Sequence, residues 1–227
     1  MGTEVWPELS FPSEELNRIR RVYDSARIIL EYGSGGSTVL GSERPGKLVF
    51  SVESDHAWAI RLQHEIDLRN LPSPALVYHV DIGPTGNWGR PLGPEAWTRF
   101  HRYPLAIWDE PFFRQPDVVL IDGRFRTACL MAVLLRTQKP VTVLFDDYIE
   151  RAAYHSVEAF LKPTEMVGRM AVFEVQPRPF DPSETGAIMD HFFRATYHGN
   201  GGADYGAPPA ELLSIGTDAQ IKGQRHD

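Results

Sequence analysis

The 227-residue chain lacks several features that mark whole classes of protein. It has a single cysteine, Cys129, which excludes an intrachain disulfide and fits a reducing compartment. No stretch approaches about 18 uninterrupted apolar residues, which argues against a membrane span. The N-terminal segment has neither the basic part nor the apolar part of a secretion signal. These absences predict a cytoplasmic protein that has no membrane partner.

Positive charge is also in short supply. The chain has 30 acidic residues against 23 lysines and arginines, and its formal net charge is -7. A general nucleic-acid binder normally carries a basic patch, and no basic run is visible. The sequence therefore disfavours a nucleic-acid partner and favours a small-molecule or sugar substrate. A Ser-His-Asp elbow, a Walker loop and a zinc-spaced Cys/His cluster are absent as well.

Short apolar runs alternate with amphipathic stretches, which is typical of βαβ units. The predicted strands are 27–32 and the runs that end at Val52, Val80, Asp122 and Asp146, with a last strand around 169–175. A helix is predicted over 152–161. We therefore expect an α/β fold with a doubly wound, mainly parallel sheet and helices on both faces. It should form one domain over 1–198, and the Gly-, Ala-, Pro- and Asp-rich segment 199–227 should be a flexible tail.

A long connection, 83–115, separates the third and fourth predicted strands and is rich in glycine, proline and aromatic residues. Such a connection is uncommon unless it is functional or has structure of its own. One interpretation is a lid that shapes a substrate pocket, with Trp88 and His101 as candidate substrate contacts. The other is a packed insertion that fills space or supports a homodimer. The sequence leaves the oligomeric state open.

The most informative stretch is IILEYGSGGSTVL, 28–40. A strand ends near Glu31, and Gly33, Gly35 and Gly36 follow, so the backbone can turn sharply and approach a ligand. Glu53 directly follows the second predicted strand, 20 residues after Gly33. An acid at this spacing is placed to accept hydrogen bonds from ribose hydroxyls. The alternative is an acid that is simply favoured by a helix N-terminus.

Two classes of nucleotide-binding protein use this arrangement. A dinucleotide fold has a third glycine where this chain has Thr38, so an NAD-dependent oxidoreductase stays an alternative only. The pattern E-x-G-x-G-G-S-T, 31–38, instead resembles motif I of the class I S-adenosylmethionine-dependent methyltransferase superfamily. The resemblance covers about 27–175. It is best to bacterial methyltransferase-like proteins of undefined activity, which share segments like GPTGNWG, IDGRFR and FDDY.

The resemblance implies a Rossmann-like fold, S-adenosylmethionine as cofactor and transferase activity. It assigns cofactor binding to Glu31, Gly33, Ser34, Gly35, Glu53 and Asp81. The first four of these correspond to the amino-acid part of the cofactor, Glu53 to the ribose and Asp81 to the adenine. Asp81 also reads as an ordinary turn residue before Gly83 and Pro84. The implied reaction is methyl transfer to a small-molecule or sugar acceptor at oxygen, and a non-catalytic nucleoside-binding module with the same fold stays open.

Three acids follow the fourth and fifth predicted strands: Asp122, Asp146 and Asp147. Converging carboxylates suit magnesium, and the placement is similar to catechol-type O-methyltransferases, with Asp147 where those enzymes have Asn. Without a metal, Asp122 or Asp146 is a candidate catalytic base. The alternative is structural: Asp146 caps a helix, and Asp147 pairs with Arg124, Arg126 or Arg151. Arg124 is also a candidate for gripping a carboxylate or phosphate of the substrate.

Overall fold

The structure, a computed structural model, describes residues 7–198. Within this range one seven-stranded sheet has the order β3-β2-β1-β4-β5-β7-β6. The strands are β1 (Ile28–Tyr32), β2 (Leu48–Glu53), β3 (Ala75–His79), β4 (Val118–Ile121), β5 (Val141–Phe145), β6 (Glu165–Val167) and β7 (Met170–Val175). Strands β1 to β5 are parallel, whereas β7 is antiparallel to both β5 and β6. The predicted doubly wound, mainly parallel sheet is confirmed.

Helices cover both faces of this sheet. They are α1 (Ser13–Ser25), α2 (Gly36–Ser42), α3 (His56–Arg69), α4 (Trp97–Phe100), α5 (Arg102–Leu105), α6 (Arg126–Arg136) and α7 (Thr185–Phe192). Successive strand residues bury on opposite faces. Ile29 packs with Ile19 of α1 and Leu62 of α3, whereas Leu30 packs with Leu130 of α6 and the insertion. Burial on both faces explains why the strands read as continuous apolar runs.

The C-terminal edge of the sheet differs from the prediction, since two strands are present where one was expected. Strand β6 has only three residues, two of them exposed, so it carries no apolar signal in the sequence. Gly168, with φ +53°, makes the tight turn into β7. The predicted helix over 152–161 is a 3₁₀ helix, Ala152–Ala159.

The insertion 83–115 has structure of its own and divides into two parts. Its second half contains α4, α5 and a 3₁₀ turn, Ala106–Asp109, and packs Phe100, Tyr103 and Trp108 into the core. The Trp108 indole N–H donates to Tyr32 Oη (2.7 Å), which in turn donates to the carbonyl of Pro104 (2.6 Å). This half therefore matches the packed interpretation, and only its first half and Tyr103 reach the cavity described below.

Two sequence expectations extend beyond the described residues. The predicted domain, 1–198, includes residues 1–6, and the predicted tail, 199–227, lies wholly outside them. Both stay predictions. Over 7–198, no helix is both long enough and apolar enough to cross a membrane.

Candidate functional site

A large cavity opens at the carboxyl ends of β1, β2 and β4. Backbone hydrogen bonds continue past these strands: the Gly33 N–H donates to Val52 O (2.9 Å), and the Asp122 N–H donates to Tyr32 O (2.9 Å). The cavity volume is about 820 Å³, within the range typical of cofactor and small-molecule sites. Its lining residues come from the segments 7–11, 33–37, 53–61, 87–89 and 122–124, together with Tyr103.

Close backbone contacts require glycine in the turn between β1 and α2. Gly33 has φ +103°, and a Cβ there would lie 2.8 Å from the Cα of Gly123. A Cβ on Gly36 would lie 2.6 Å from the carbonyl oxygen of Glu8. Neither position has room for a side chain, so the backbone of the turn itself borders the cavity. Gly33, Ser34 and Gly35 all line it.

Glu31 lies beneath this turn and does not line the cavity. Its buried carboxylate accepts hydrogen bonds from Tyr23 Oη (2.6 Å) and Thr38 Oγ1 (2.5 Å). Burial raises the pKa of Glu31 to about 7, although the hydrogen bonds from Thr38 and Tyr23 lower it. Thr38 Oγ1 also accepts from the Gly35 N–H (3.1 Å). Glu31 is thus linked to the turn through Thr38, and the direct cofactor contact implied for Glu31 stays a prediction.

Glu53 lines the cavity at the end of β2 and joins the second strand to the glycine turn. Its Oε1 accepts from the N–H groups of Ser54 (2.7 Å) and Asp55 (2.8 Å), and its Oε2 accepts from the Ser34 N–H (3.3 Å). Burial raises the pKa of Glu53, and these backbone hydrogen bonds oppose the rise. The cap of α3 is Asp55, which accepts from the Trp58 N–H (3.0 Å), so the helix does not need Glu53 for this purpose.

Asp81 lies outside the cavity, with 61% of its side chain exposed. It accepts from the Gly83 N–H (2.8 Å) and from Arg99 Nη1 (2.5 Å). The Gly83 hydrogen bond is the main cause of a lowered pKa of Asp81, to which Arg99 contributes. These contacts are those of the turn residue that the sequence offered as the alternative, and the adenine role implied for Asp81 stays a prediction.

The three acids after β4 and β5 converge as the strand order predicts. Asp122, Asp146 and Asp147 each have a carboxylate oxygen within 4.8 Å of the others. Asp146 is fully buried, and both of its oxygens are held by Arg169: Nε to Oδ1 at 3.0 Å and Nη2 to Oδ2 at 2.7 Å. Arg126 donates from Nη2 to Asp122 Oδ1 (2.9 Å). Guanidinium groups therefore already neutralise this cluster.

Asp147 is bound by three arginines, Arg126 (3.1 Å), Arg151 (2.8 Å) and Arg169 (3.1 Å). The pairs with Arg126 and Arg151 belong to the structural alternative raised from the sequence. Arg124, the third arginine of that alternative, does not bind Asp147 within residues 7–198.

A magnesium ion does not fit this donor set. A hard divalent cation needs free carboxylate oxygens and usually keeps several waters, whereas the fork of Arg169 occupies both oxygens of Asp146. The arginine pairs disfavour Asp146 as a catalytic base or metal ligand and Asp147 as a metal ligand, and these roles stay untested predictions. Arg169 stands in the turn between β6 and β7, at the sheet edge that the sequence left unresolved.

Asp122 is the member of the cluster that lines the cavity. Its side chain is 31% exposed. Burial raises the pKa of Asp122 to about 6, Arg126 lowers it, and Asp146 and Asp147 raise it further. Arg126 holds Oδ1, and no described residue donates a hydrogen bond to Oδ2. One carboxylate oxygen is therefore available to a ligand.

The three candidate substrate contacts have different positions. Trp88 lines the cavity with 83% of its surface exposed and has φ +63°. Arg124 also lines the cavity and is only 9% exposed. His101 is exposed and lies outside the cavity lining, and its expected role as a substrate contact stays a prediction.

Three cavity features were not found from the sequence. Trp58 donates its indole N–H to Ser34 O (2.8 Å), and Arg61 stacks over its ring at 4.9 Å. Tyr103 donates its hydroxyl to Val52 O (3.3 Å). The segment 7–11 precedes the first predicted element and has no periodic pattern. The sequence placed Trp58 in a predicted helix and Tyr103 in the aromatic insertion, but it did not indicate that either residue contacts a ligand.

The fold and the site define a class I methyltransferase-like α/β protein. The chain is 44% identical to a methyltransferase-like protein from Silicibacter pomeroyi DSS-3, with a TM-score of 0.79 over 83% of this chain and 98% of that one. It therefore belongs to the same family. A cofactor-bound protein from MTB shares the fold at 14% identity and a TM-score of 0.52, over 76% of this chain and 84% of that one. No protein-family model and no curated protein matches the chain.

Proposed function

We propose that the protein transfers a methyl group from S-adenosylmethionine to an oxygen atom of a small-molecule or sugar acceptor. The observation that carries this proposal is the convergence of the glycine turn at Gly33, the carboxylate of Glu53 and the carboxylate of Asp122 on one cavity. The first two groups are tied together by the hydrogen bond from Ser34 to Glu53. Membership of a methyltransferase-like family supports the same activity.

The cofactor end of the cavity is formed by β1 and β2. Gly33, Ser34 and Gly35 hold the amino-acid part of the cofactor, because their backbone forms the cavity wall without obstructing side chains. Glu53 holds the ribose hydroxyls. Its buried carboxylate is fixed by three backbone N–H groups, so little conformational entropy is lost when a ligand binds. Trp58 borders this end as an apolar wall.

The acceptor end of the cavity is formed by β4 and the first half of the insertion. S-adenosylmethionine supplies an electrophilic methyl group on sulfur. Asp122 Oδ2 takes the proton of the acceptor hydroxyl, since a carboxyl pKa of about 6 suits a base at neutral pH. Arg126 keeps the Asp122 carboxylate oriented through Oδ1. Trp88 and Tyr103 border the acceptor and limit access of water.

Other properties predicted from the sequence are part of the proposal. The arginine-paired acids favour transfer without magnesium. The cavity of about 820 Å³ and the net charge of -7 favour a small acceptor over nucleic acid. A cytoplasmic location and a homodimer stay predictions.

The direct test is calorimetric titration of the protein with S-adenosylhomocysteine and, separately, with NAD. We expect S-adenosylhomocysteine to bind and Glu53→Gln to weaken it by about tenfold or more, since one charged hydrogen-bond acceptor to the ribose is lost. Glu43→Gln removes an exposed carboxylate at the end of α2 and should bind like the wild type. Binding of NAD without S-adenosylhomocysteine would instead establish the oxidoreductase alternative.

A non-catalytic module needs a separate readout. The protein with labelled S-adenosylmethionine should transfer label to one or more members of a panel of small hydroxylated acceptors, and Asp122→Asn should slow this transfer by about 10²–10⁴ without weakening S-adenosylhomocysteine binding. Cofactor binding together with transfer that is equal in the wild type and in Asp122→Asn would remove Asp122 from the chemistry.

A further inference from the structure

Two arginines near the cavity, Arg124 and Arg90, each have a buried Nε that finds no hydrogen-bond partner among residues 7–198. Arg124 is 9% exposed, and its Nε is buried without a hydrogen bond. Arg90, in the insertion, also has a buried Nε without a partner. Within residues 7–198 neither guanidinium is engaged in a hydrogen bond or ion pair. Buried cations are normally paired, because an unpaired one loses hydration without compensation.

The neighbouring arginines do have acidic partners, so this region of the protein does not lack acids in general. Arg126, Arg151 and Arg169 are all paired with the three acids after β4 and β5. Those carboxylates are therefore already committed to other arginines. Among residues 7–198, Arg124 and Arg90 therefore have no acidic partner, although the net charge of the chain is -7.

Arg124 lines the cavity, and Arg90 directly follows Gly89, which also lines it. Burial lowers the pKa of Arg124, and the positive charges of Arg126 and Arg90 lower it further. The backbone of Arg124 is fixed, since its N–H donates to Tyr103 Oη (3.4 Å) and its carbonyl accepts from Cys129 Sγ (3.3 Å). Arg90 is fixed by the hydrogen bond from the Gly86 N–H to its carbonyl (2.8 Å).

The position of Arg124 beside the sheet separates it from the adenosine end. Glu53 follows β2, on one side of β1, whereas Arg124 follows β4, on the other side. Arg124 is two residues beyond Asp122, and it immediately precedes the N-terminal end of the 11-residue helix α6, whose dipole adds positive potential there. Planar guanidinium groups bind carboxylates and phosphates in bidentate geometry.

We propose that Arg124, with Arg90, binds an oxyanion of the methyl acceptor, so that the acceptor is an acid: a small molecule with a carboxylate or phosphate group as well as the hydroxyl to be methylated. This inference rests on the proposed methyl transfer. It narrows the acceptor from any small molecule or sugar to one that carries a negative charge.

The test is binding of inorganic phosphate to the protein saturated with S-adenosylhomocysteine, at ionic strength held constant with chloride. Phosphate should raise the melting temperature of the wild type and bind by calorimetry, and Arg124→Met should weaken this binding by about tenfold or more. Arg90→Met should weaken it less, because Arg90 is the less buried of the two. Arg61→Met is the matched control. Arg61 lines the same cavity but lies over Trp58, and its loss should leave the phosphate response unchanged.

Repeating the titration with acetate shows whether the site prefers a carboxylate or a phosphate group. Binding of either ion supports the oxyanion site. Arg124→Met should also melt at a higher temperature than the wild type when no oxyanion is present, because the variant removes an unpaired buried charge. A lower melting temperature, together with no response of the wild type to phosphate or acetate, would show a structural role for Arg124 and overturn the inference.

Affinity for the cofactor separates the remaining outcomes. If Arg124→Met weakens S-adenosylhomocysteine but not 5′-methylthioadenosine, which lacks the amino-acid carboxylate, then Arg124 holds the cofactor. The acceptor inference is then wrong, whereas the proposed function stands. If S-adenosylhomocysteine does not bind to the wild type at all, both fail.

Discussion

Gly33 and Gly123 are in backbone contact, since a Cβ added to Gly33 would lie 2.8 Å from the Cα of Gly123. Gly33 directly follows β1, and Gly123 lies two residues after the end of β4. Their contact brings together two segments that are far apart in the sequence, the glycine turn and the segment IDGRFR. Asp122 and Arg124 are the neighbours of Gly123 in the sequence. The contact between Gly33 and Gly123 therefore fixes the distance from these two residues to the glycine turn.

Substitution of Gly33 by alanine should therefore damage both folding and binding. The φ of +103° alone should cost about 1–3 kcal/mol of stability for a residue with a side chain, and the contact with Gly123 adds to this. Gly35→Ala is the matched variant, because nothing lies within 4 Å of its added Cβ and its φ of 176° is extended backbone. Denaturant unfolding should show a large loss for Gly33→Ala and almost none for Gly35→Ala. Equal losses would contradict the contact argument.

The pair formed by Arg169 and Asp146 should be a major source of stability at the β5 edge. Removing Arg169 leaves a fully buried carboxylate without its bidentate partner, so Arg169→Met should lower the free energy of unfolding by about 3–5 kcal/mol. Arg151→Met should cost much less, because Asp147 keeps Arg126 and Arg169. Adding Asp146→Asn to Arg169→Met should recover part of the loss. Independent, additive effects in this double-mutant cycle would argue against a direct pair.

The sequence was a good guide to the sheet and to half of the site. Buried parallel strands are continuous apolar runs, so β1 to β5 could be located, and parallel strands bring Gly33, Glu53 and Asp122 to one edge. The exposed three-residue strand β6 has no such pattern. Missing β6 also meant missing the turn that carries Arg169, and with it the reason why the nearby acids do not fit a metal ion.

Charge pairing was the second limit of the sequence. Three acids and several arginines close to each other in the chain are consistent with a metal site, a catalytic base or a network of ion pairs. Only the structure shows that Arg126 and Arg169 neutralise the acids, whereas the Arg124 side chain has no ion-pair partner within residues 7–198. Asp81 illustrates the same limit, because its position after β3 fitted the adenine role but its side chain turns outward to Arg99.

Divalent metals should have no specific effect on this protein. Addition of magnesium or of a chelator should leave the affinity for S-adenosylhomocysteine and the melting temperature unchanged, because arginines already occupy the carboxylates of Asp146 and Asp147. Manganese binding followed by electron paramagnetic resonance provides an independent readout. A stoichiometric site in the wild type that is lost in Asp146→Asn would restore the magnesium hypothesis.

Asp122 should titrate near neutral pH and limit methyl transfer below it. Its pKa of about 6 reflects burial and the nearby acids, opposed by Arg126, so the basic form needed to accept a proton is lost as the pH falls through 6. Carbon-detected NMR should show this carboxyl titrating near pH 6 in the wild type, with the signal absent in Asp122→Asn. With an acceptor from the panel of small hydroxylated molecules, Asp122→Asn should reduce kcat by about 10²–10⁴. A transfer rate that stays constant from about pH 5 to about pH 8 would contradict the assignment of Asp122 as the base.

Glu31 should make the folded state lose stability as the pH rises. Its pKa is about 7 in the folded protein against an ordinary value of 4.5, so the folded state binds this proton more tightly than the unfolded state does. The stabilisation is therefore fully present below pH 4.5 and disappears as the pH rises through 7, a change of about 3 kcal/mol at 1.36 kcal/mol per pKa unit.

Glu31→Gln keeps the shape of the side chain and removes the titration. The difference in unfolding free energy between the wild type and Glu31→Gln should decline from pH 4.5 to pH 8, and Asp122, which is present in both proteins, cancels from it. Glu43→Gln, at an exposed position, should show no such trend. If the wild type instead gains stability over Glu31→Gln as the pH rises, the buried carboxyl is ionised beneath the glycine turn, and Tyr23 and Thr38 stabilise the charge more strongly than burial opposes it.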